Sequence, residues 1–128
     1  MMDWVWLDPQ ALLSAHDEQL AEHGGAAGIR DEGLFESALA RPQNLAAYGE
    51  PDVAALAAAH GYGLAKNHAF VDGNKRIALV ALESFLALNG FDLAVDDGQA
   101  VMVGLSVASG AFRENELADW VRKNIRPR

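Results

Sequence analysis

His68-Ala-Phe-Val-Asp-Gly-Asn-Lys-Arg76 runs straight into Ile77-Ala-Leu-Val-Ala-Leu-Glu-Ser-Phe-Leu-Ala-Leu88, and the two segments together decide the fold. In the second, Ile77, Leu79, Val80, Leu82, Phe85, Leu86 and Leu88 leave only Glu83 and Ser84 polar. A helix with no polar face is buried, so a central helix is expected over about residues 74–88, ending in a left-handed cap at Asn89-Gly90. Asp72-Gly73 also suits a hairpin turn. Its flanks, however, have helical spacing and alanine content rather than strand alternation, which argues against that reading.

The first segment gathers polar chemistry at the start of that helix. Gly73 takes backbone angles barred to other residues and Asn74 tolerates them better than most, so the loop can aim successive N–H groups one way. The free N–H groups and positive dipole end of the helix point to the same place. Lys75 and Arg76 add two full charges, one a flexible point and the other a planar fork suited to phosphate oxygens. Gly73, Asn74, Lys75 and Arg76 are therefore the candidate phosphate-binding residues. Lys66, just before the loop, is a candidate supplement, against the plainer reading of a solvated lysine.

His68 and Asp72 make this more than an anion nest. A histidine has a reference pKa of about 6.5, so neutral His68 can act as general base toward an attacking hydroxyl. Asp72 would be repelled by a polyphosphate unless a cation bridged them, which suggests Mg²⁺ held by Asp72 and phosphate oxygens. Phe70 reads as a structural anchor that pins the loop to the core. Either polar residue alone has a bland explanation as a loop cap. Their coincidence with Gly-Asn-Lys-Arg favours an enzyme of phosphoryl or nucleotidyl transfer, with a non-catalytic nucleotide- or peptide-binding module as the rival.

Composition sets the limits. A length of 128 residues suits one domain spanning 1–128. The net charge of −8 argues against direct gripping of nucleic acid, where affinity comes from neutralising phosphates. Without cysteine there is no disulfide framework, zinc knuckle or thiol nucleophile. Trp4–Leu7 is too short for a signal peptide and no apolar run reaches the roughly 20 residues of a membrane span, so a cytoplasmic location is expected.

Outward from the centre, helical spacing recurs. Trp4–Leu7 is an extended lead-in, and Asp8-Pro9 opens a helix to about Glu22 with Leu12, Leu13, His16 and Leu20 on one face, His16 being a packing histidine. Gly24–Arg30 is a connecting loop, Asp31 caps a second helix closed by Pro42, and residues 42–51 are a connector. Asp52 starts a third helix with Val53, Leu56, His60 and Leu64 as its stripe, and glycines 61 and 63 allow close approach. His60, eight residues before His68, reads as a packed histidine. Asp96 caps a fifth helix ending at Gly110, Glu114–Asn124 makes a sixth, and Lys123, Arg126 and Arg128 form a solvated tail. The class is all-α, about six helices around a buried central one.

The motif His-x-Phe-x-Asp-Gly-Asn-Lys-Arg at 68–76 resembles the signature of the Fic/Doc superfamily, specifically its Doc (death-on-curing) toxin branch, and the likeness extends loosely from Leu7 to the last helix. Fic proteins, which transfer AMP to hydroxyl side chains, have a second glycine where this chain has Lys75 and a further arginine where it has Leu79. Gly73 is the Fic-like choice at its own position. The resemblance therefore implies a compact Fic/Doc-like bundle and, from Lys75 and Leu79, Doc-type kinase work: the γ-phosphate of ATP moves to a threonine of elongation factor Tu and translation is inhibited. Fic-type AMP transfer is the alternative. The resemblance also implies a toxin-antitoxin pair, with a cognate antitoxin whose disordered tail folds as a helix into a groove on the toxin.

Overall fold

Most helices begin where an aspartate can satisfy their first N–H groups. In the computed structural model, which describes residues 3–128, these are α1 (Pro9–His23), α2 (Glu32–Tyr48), α3 (Val53–Asn67), α4 (Asn74–Leu88), α5 (Asp97–Ser109) and α6 (Glu114–Asn124), with strands β1 (Phe91–Leu93) and β2 (Ile125–Pro127). Asp8, Asp31, Asp52 and Asp96 accept hydrogen bonds from the backbone N–H groups of Gln10, Leu34, Ala55 and Gln99 at 3.2, 3.0, 2.8 and 2.8 Å. Each such cap is worth about 1 kcal/mol. At α6 the Glu116 side chain reaches back to the Arg113 N–H at 3.0 Å. Helix α4 differs: its N-cap is Gly73, at φ 76° and ψ 17°, with no capping side chain.

The all-helical expectation holds, and α4 is buried along Ile77, Ala78, Ala81, Leu82, Phe85 and Leu86. It shares the centre with α3, buried at nearly every position from Val53 to Ala65. The small residues of α3 make this possible. A Cβ added at Gly61 would lie 3.0 Å from Leu82 Cδ1 on α4, and one at Gly63 would lie 3.4 Å from Ala38 Cα on α2. Helices α2, α4 and α6 therefore pack closely around α3. The Trp4–Leu7 lead-in crosses the end of α4, where Asn89 exchanges hydrogen bonds with Val5 N–H and C=O at 2.9 and 3.0 Å.

Two expectations are corrected. Pro42 does not close α2, which continues to Tyr48 and absorbs most of the expected 42–51 connector. Proline removes one helical hydrogen bond, but its ring is fully buried and Ala46, one turn on, packs against the core. Burial of that face sustains the helix through the break. The C-terminal tail is not simply solvated either: Ile125–Pro127 pairs antiparallel with Phe91–Leu93, and Arg128 Nε meets Asp92 Oδ1 at 3.1 Å.

His60 is a packed histidine, as its spacing suggested. It is buried, stacks on Phe85 at 4.5 Å and donates from Nδ1 to the Leu56 carbonyl at 2.8 Å. Burial penalises its charged form and pulls its pKa down from 6.5 to about 4. The folded state thus binds fewer protons than the unfolded chain between those values, and stability is lost as pH falls through that window. Urea denaturation at pH 7 and pH 4.5 should show the wild type losing about 2–3 kcal/mol more than His60→Leu over the same interval. Equal losses in the two proteins would contradict the burial effect.

Candidate active site

Between α3 and α4 the chain turns through six residues, 68–73, and their backbone groups are met largely by side chains and loops from elsewhere in the sequence. His68 sits just past α3 in the left-handed region, at φ 51° and ψ 49°, the one non-glycine residue of positive φ among those described. Arg30 holds it there. Its Nε donates to the His68 carbonyl at 2.8 Å and its Nη2 to the Asn67 carbonyl at 3.3 Å, placing a cation at the negative end of α3.

The next residues are tied to the 24–30 loop and to the core. Ala69 O accepts from Arg30 N–H at 2.7 Å, and Val71 N–H donates to Gly28 O at 3.0 Å. Phe70 is buried, stacked on the His16 ring at 3.9 Å and meeting Phe35 edge-on at 5.4 Å. Buried Asn74 closes the loop by exchanging two hydrogen bonds with the Phe70 backbone, each of 3.0 Å. Its side chain is therefore committed to the loop, leaving its backbone N–H for a ligand.

What remains exposed is the polar set. Asp72 Oδ1 accepts from the Gly73 N–H at 2.9 Å and Oδ2 is 3.4 Å from the Ala26 N–H, while the carboxylate stays open to solvent. Lys75 and Arg76 are exposed and make no ion pair among the described residues. His68, Asp72, Gly73, Asn74, Lys75 and Arg76 line a cleft of about 480 Å³ together with Leu79 and with Val101, Gly104 and Leu105 of α5. The first-turn N–H groups of α4 have no intrahelical partner and lie at this cleft. Together with the two cations they form an electropositive cluster whose chemistry suits an anion of high charge density.

Lys66 is not brought into the cleft. Its Nζ lies at the α5–α6 turn, 3.7 Å from where a Cβ on Gly110 would stand. Contributors from outside the motif include Arg30, His16, Gly25 and the apolar wall of α5. Gly25 has φ 125°, and a Cβ there would fall 2.9 Å from both Asp72 Oδ2 and Leu20 Cδ2. Gly25 was legible as part of the 24–30 connecting loop, and its closeness to Asp72, 47 positions on (72 − 25), had no local signal. The spacing of Val101 and Leu105 marked the fifth helix, but only the structure shows that Val101, Met102 and Leu105 are exposed and that Val101 and Leu105 line the cleft.

Gly25→Ala should displace the Asp72 carboxylate and strain the loop, lowering unfolding free energy by about 1–3 kcal/mol in urea denaturation. A variant of wild-type stability with an unmoved Asp72 resonance in NMR spectra would contradict the close approach.

Known proteins give an independent comparison. The model of the Fic/DOC family matches residues 6–86, which include the whole loop and most of α4. The chain is 30% identical over 118 residues to the "Protein kinase doc" of Escherichia phage P1, covering 91% of this chain and 93% of that protein. It is 44% identical over 94 residues to the "Toxin Doc" of Mycolicibacterium smegmatis, covering 71% and 69% of the two. With the family match spanning well over half of the chain and including its whole cleft-forming loop, this protein belongs to the Fic/Doc family.

Proposed function

We propose that the protein is the toxin of a toxin-antitoxin pair and a Doc-type phosphotransferase, moving the γ-phosphate of ATP to a threonine hydroxyl of elongation factor Tu. The observation that carries this reading is the uncapped N-terminus of α4, flanked by Lys75 and Arg76 and opening on the same cleft as His68 and Asp72. The names of the phage and mycobacterial relatives, a protein kinase and a toxin, support it. Neutral His68 takes the proton of the acceptor hydroxyl as its oxygen forms a bond to the γ-phosphorus. The bond from that phosphorus to the β-phosphate oxygen breaks and the diphosphate leaves. The N–H groups of Asn74, Lys75 and Arg76 and the two cationic side chains hold the phosphate charge as it redistributes.

Asp72 fits Mg²⁺ as one ligand among several. Among the described residues no group of three or more acidic, histidine or cysteine side chains can hold a metal alone, so phosphate oxygens and water would complete the shell. When bound, Mg²⁺ neutralises phosphate charge and orients the polyphosphate. Leu79, in the cleft lining, supplies no charge where the Fic signature has an arginine, and Lys75 stands where that signature has a second glycine. Both favour phosphate over AMP transfer. A cognate antitoxin, its disordered tail folding as a helix into a surface groove, would restrain the activity. No helix among the described residues is long and apolar enough to cross a membrane, which is compatible with work in the cytoplasm.

Mass spectrometry of purified elongation factor Tu after incubation with the protein, ATP and Mg²⁺ tests the reading. One added phosphate on threonine is expected, with the rate falling by roughly 10²–10⁴ in His68→Ala. An added AMP would establish the Fic-type reaction instead, and an unmodified target would refute this substrate.

A further inference from the structure

We infer that His16, on α1 and outside the motif, is a positioning residue that locks the Asp72–Gly73 peptide in the orientation needed to receive phosphate. The inference rests on the phosphate-binding reading of the loop and adds to it. His16 is 2% exposed, lies on the same face of α1 as Leu12, and reaches the loop across 56 positions of sequence. Its ring stacks on Phe70 at 3.9 Å and 24°, and its Nε2 is 2.8 Å from the Asp72 carbonyl oxygen. A carbonyl can only accept, so Nε2 carries the proton and donates.

The consequence follows from peptide geometry. In a trans peptide the C=O of one residue and the N–H of the next point in opposite directions. By drawing the Asp72 carbonyl toward α1, His16 turns the Gly73 N–H the other way, where it meets Asp72 Oδ1 at 2.9 Å. That bond in turn sets the carboxylate at the cleft. Gly73, at φ 76°, has none of the side-chain restraint that would resist rotation of this peptide. A flipped peptide would break the bond from the Gly73 N–H and turn a carbonyl oxygen toward the Asp72 carboxylate and the first turn of α4, displacing the carboxylate and repelling an anion there. The fit is close: a Cβ on Gly73 would stand 3.4 Å from His16 Nε2, so glycine at 73 also lets the imidazole approach.

Two substitutions separate the hydrogen bond from the packing. His16→Phe keeps an aromatic ring against Phe70 and loses the donor. His16→Gln loses the ring and keeps an N–H donor at similar reach. Binding of pyrophosphate with Mg²⁺, measured by isothermal titration calorimetry, should weaken about ten-fold or more in His16→Phe and recover most of that loss in His16→Gln, the scale typical of removing a group that orients a ligating residue. The Gly73 amide resonance, read in the ligand-free proteins, should follow the same order: displaced in Phe, near wild type in Gln. Any other order overturns the inference, whether the Phe variant matches wild type or the Gln variant is as impaired as Phe. Wild-type protein that binds pyrophosphate but phosphorylates nothing would instead refute the proposed activity, leaving the ranking of the variants to judge His16. Wild-type protein that fails to bind pyrophosphate would overturn the phosphate-binding reading, and with it the role given to His16.

Discussion

The two hydrogen bonds between the Asn74 side chain and the Phe70 backbone are the constraint on which the site depends. A loop that enters a protein core carries polar backbone groups with no regular partner, and each one left unpaired costs about 1–3 kcal/mol. Asn74 answers this for Phe70, at the point where the loop is most buried. With those groups satisfied, the Phe70 ring can sit between His16 and Phe35. The same staple places the first residue of α4, so the core and the helix N-terminus share one origin.

A second feature follows from what α4 lacks. Four other helices begin with an aspartate cap. Helix α4 begins with Gly73 and has no such cap, while the nearby aspartate, Asp72, turns its carboxylate to the Gly73 N–H and the Ala26 side of the cleft. A cap would occupy the N–H groups that the proposed phosphate seat needs, and would add a negative charge to it. The fold therefore leaves a local preference unmet at this terminus, which is where functional sites commonly break local rules. Lys75 and Arg76 strengthen the attraction, and their exposure leaves both free to reach a ligand.

Much of this was legible in the chain because it is local. The aspartate caps, the Asn89-Gly90 stop and the apolar run 77–88 each act within a few residues, and the helices they define lie close to where they were expected. Pro42 misled because its buried ring and the packing of Ala46 outweigh a missing hydrogen bond, a tertiary effect. The β1–β2 pair was invisible for a related reason: three-residue strands carry no periodicity, and their partners lie over thirty positions apart. At the site, the motif residues announced themselves by type and spacing. Arg30, Gly25 and His16 did not, since what matters about them is proximity to the loop, supplied by the packing of α1 and the 24–30 loop against residues 68–72. Lys66 shows the converse, being near the loop in sequence yet turned toward Gly110.

The central claim, that the open N-terminus of α4 is a phosphate seat facing a base and a metal-binding carboxylate, is tested most directly by a crystal structure of the His68→Ala protein with ATP and Mg²⁺. Phosphate oxygens are expected within hydrogen-bond distance of the N–H groups of residues 74–76, with the metal against the Asp72 carboxylate. Nucleotide bound elsewhere, or seated with its phosphates turned away from α4, would contradict it.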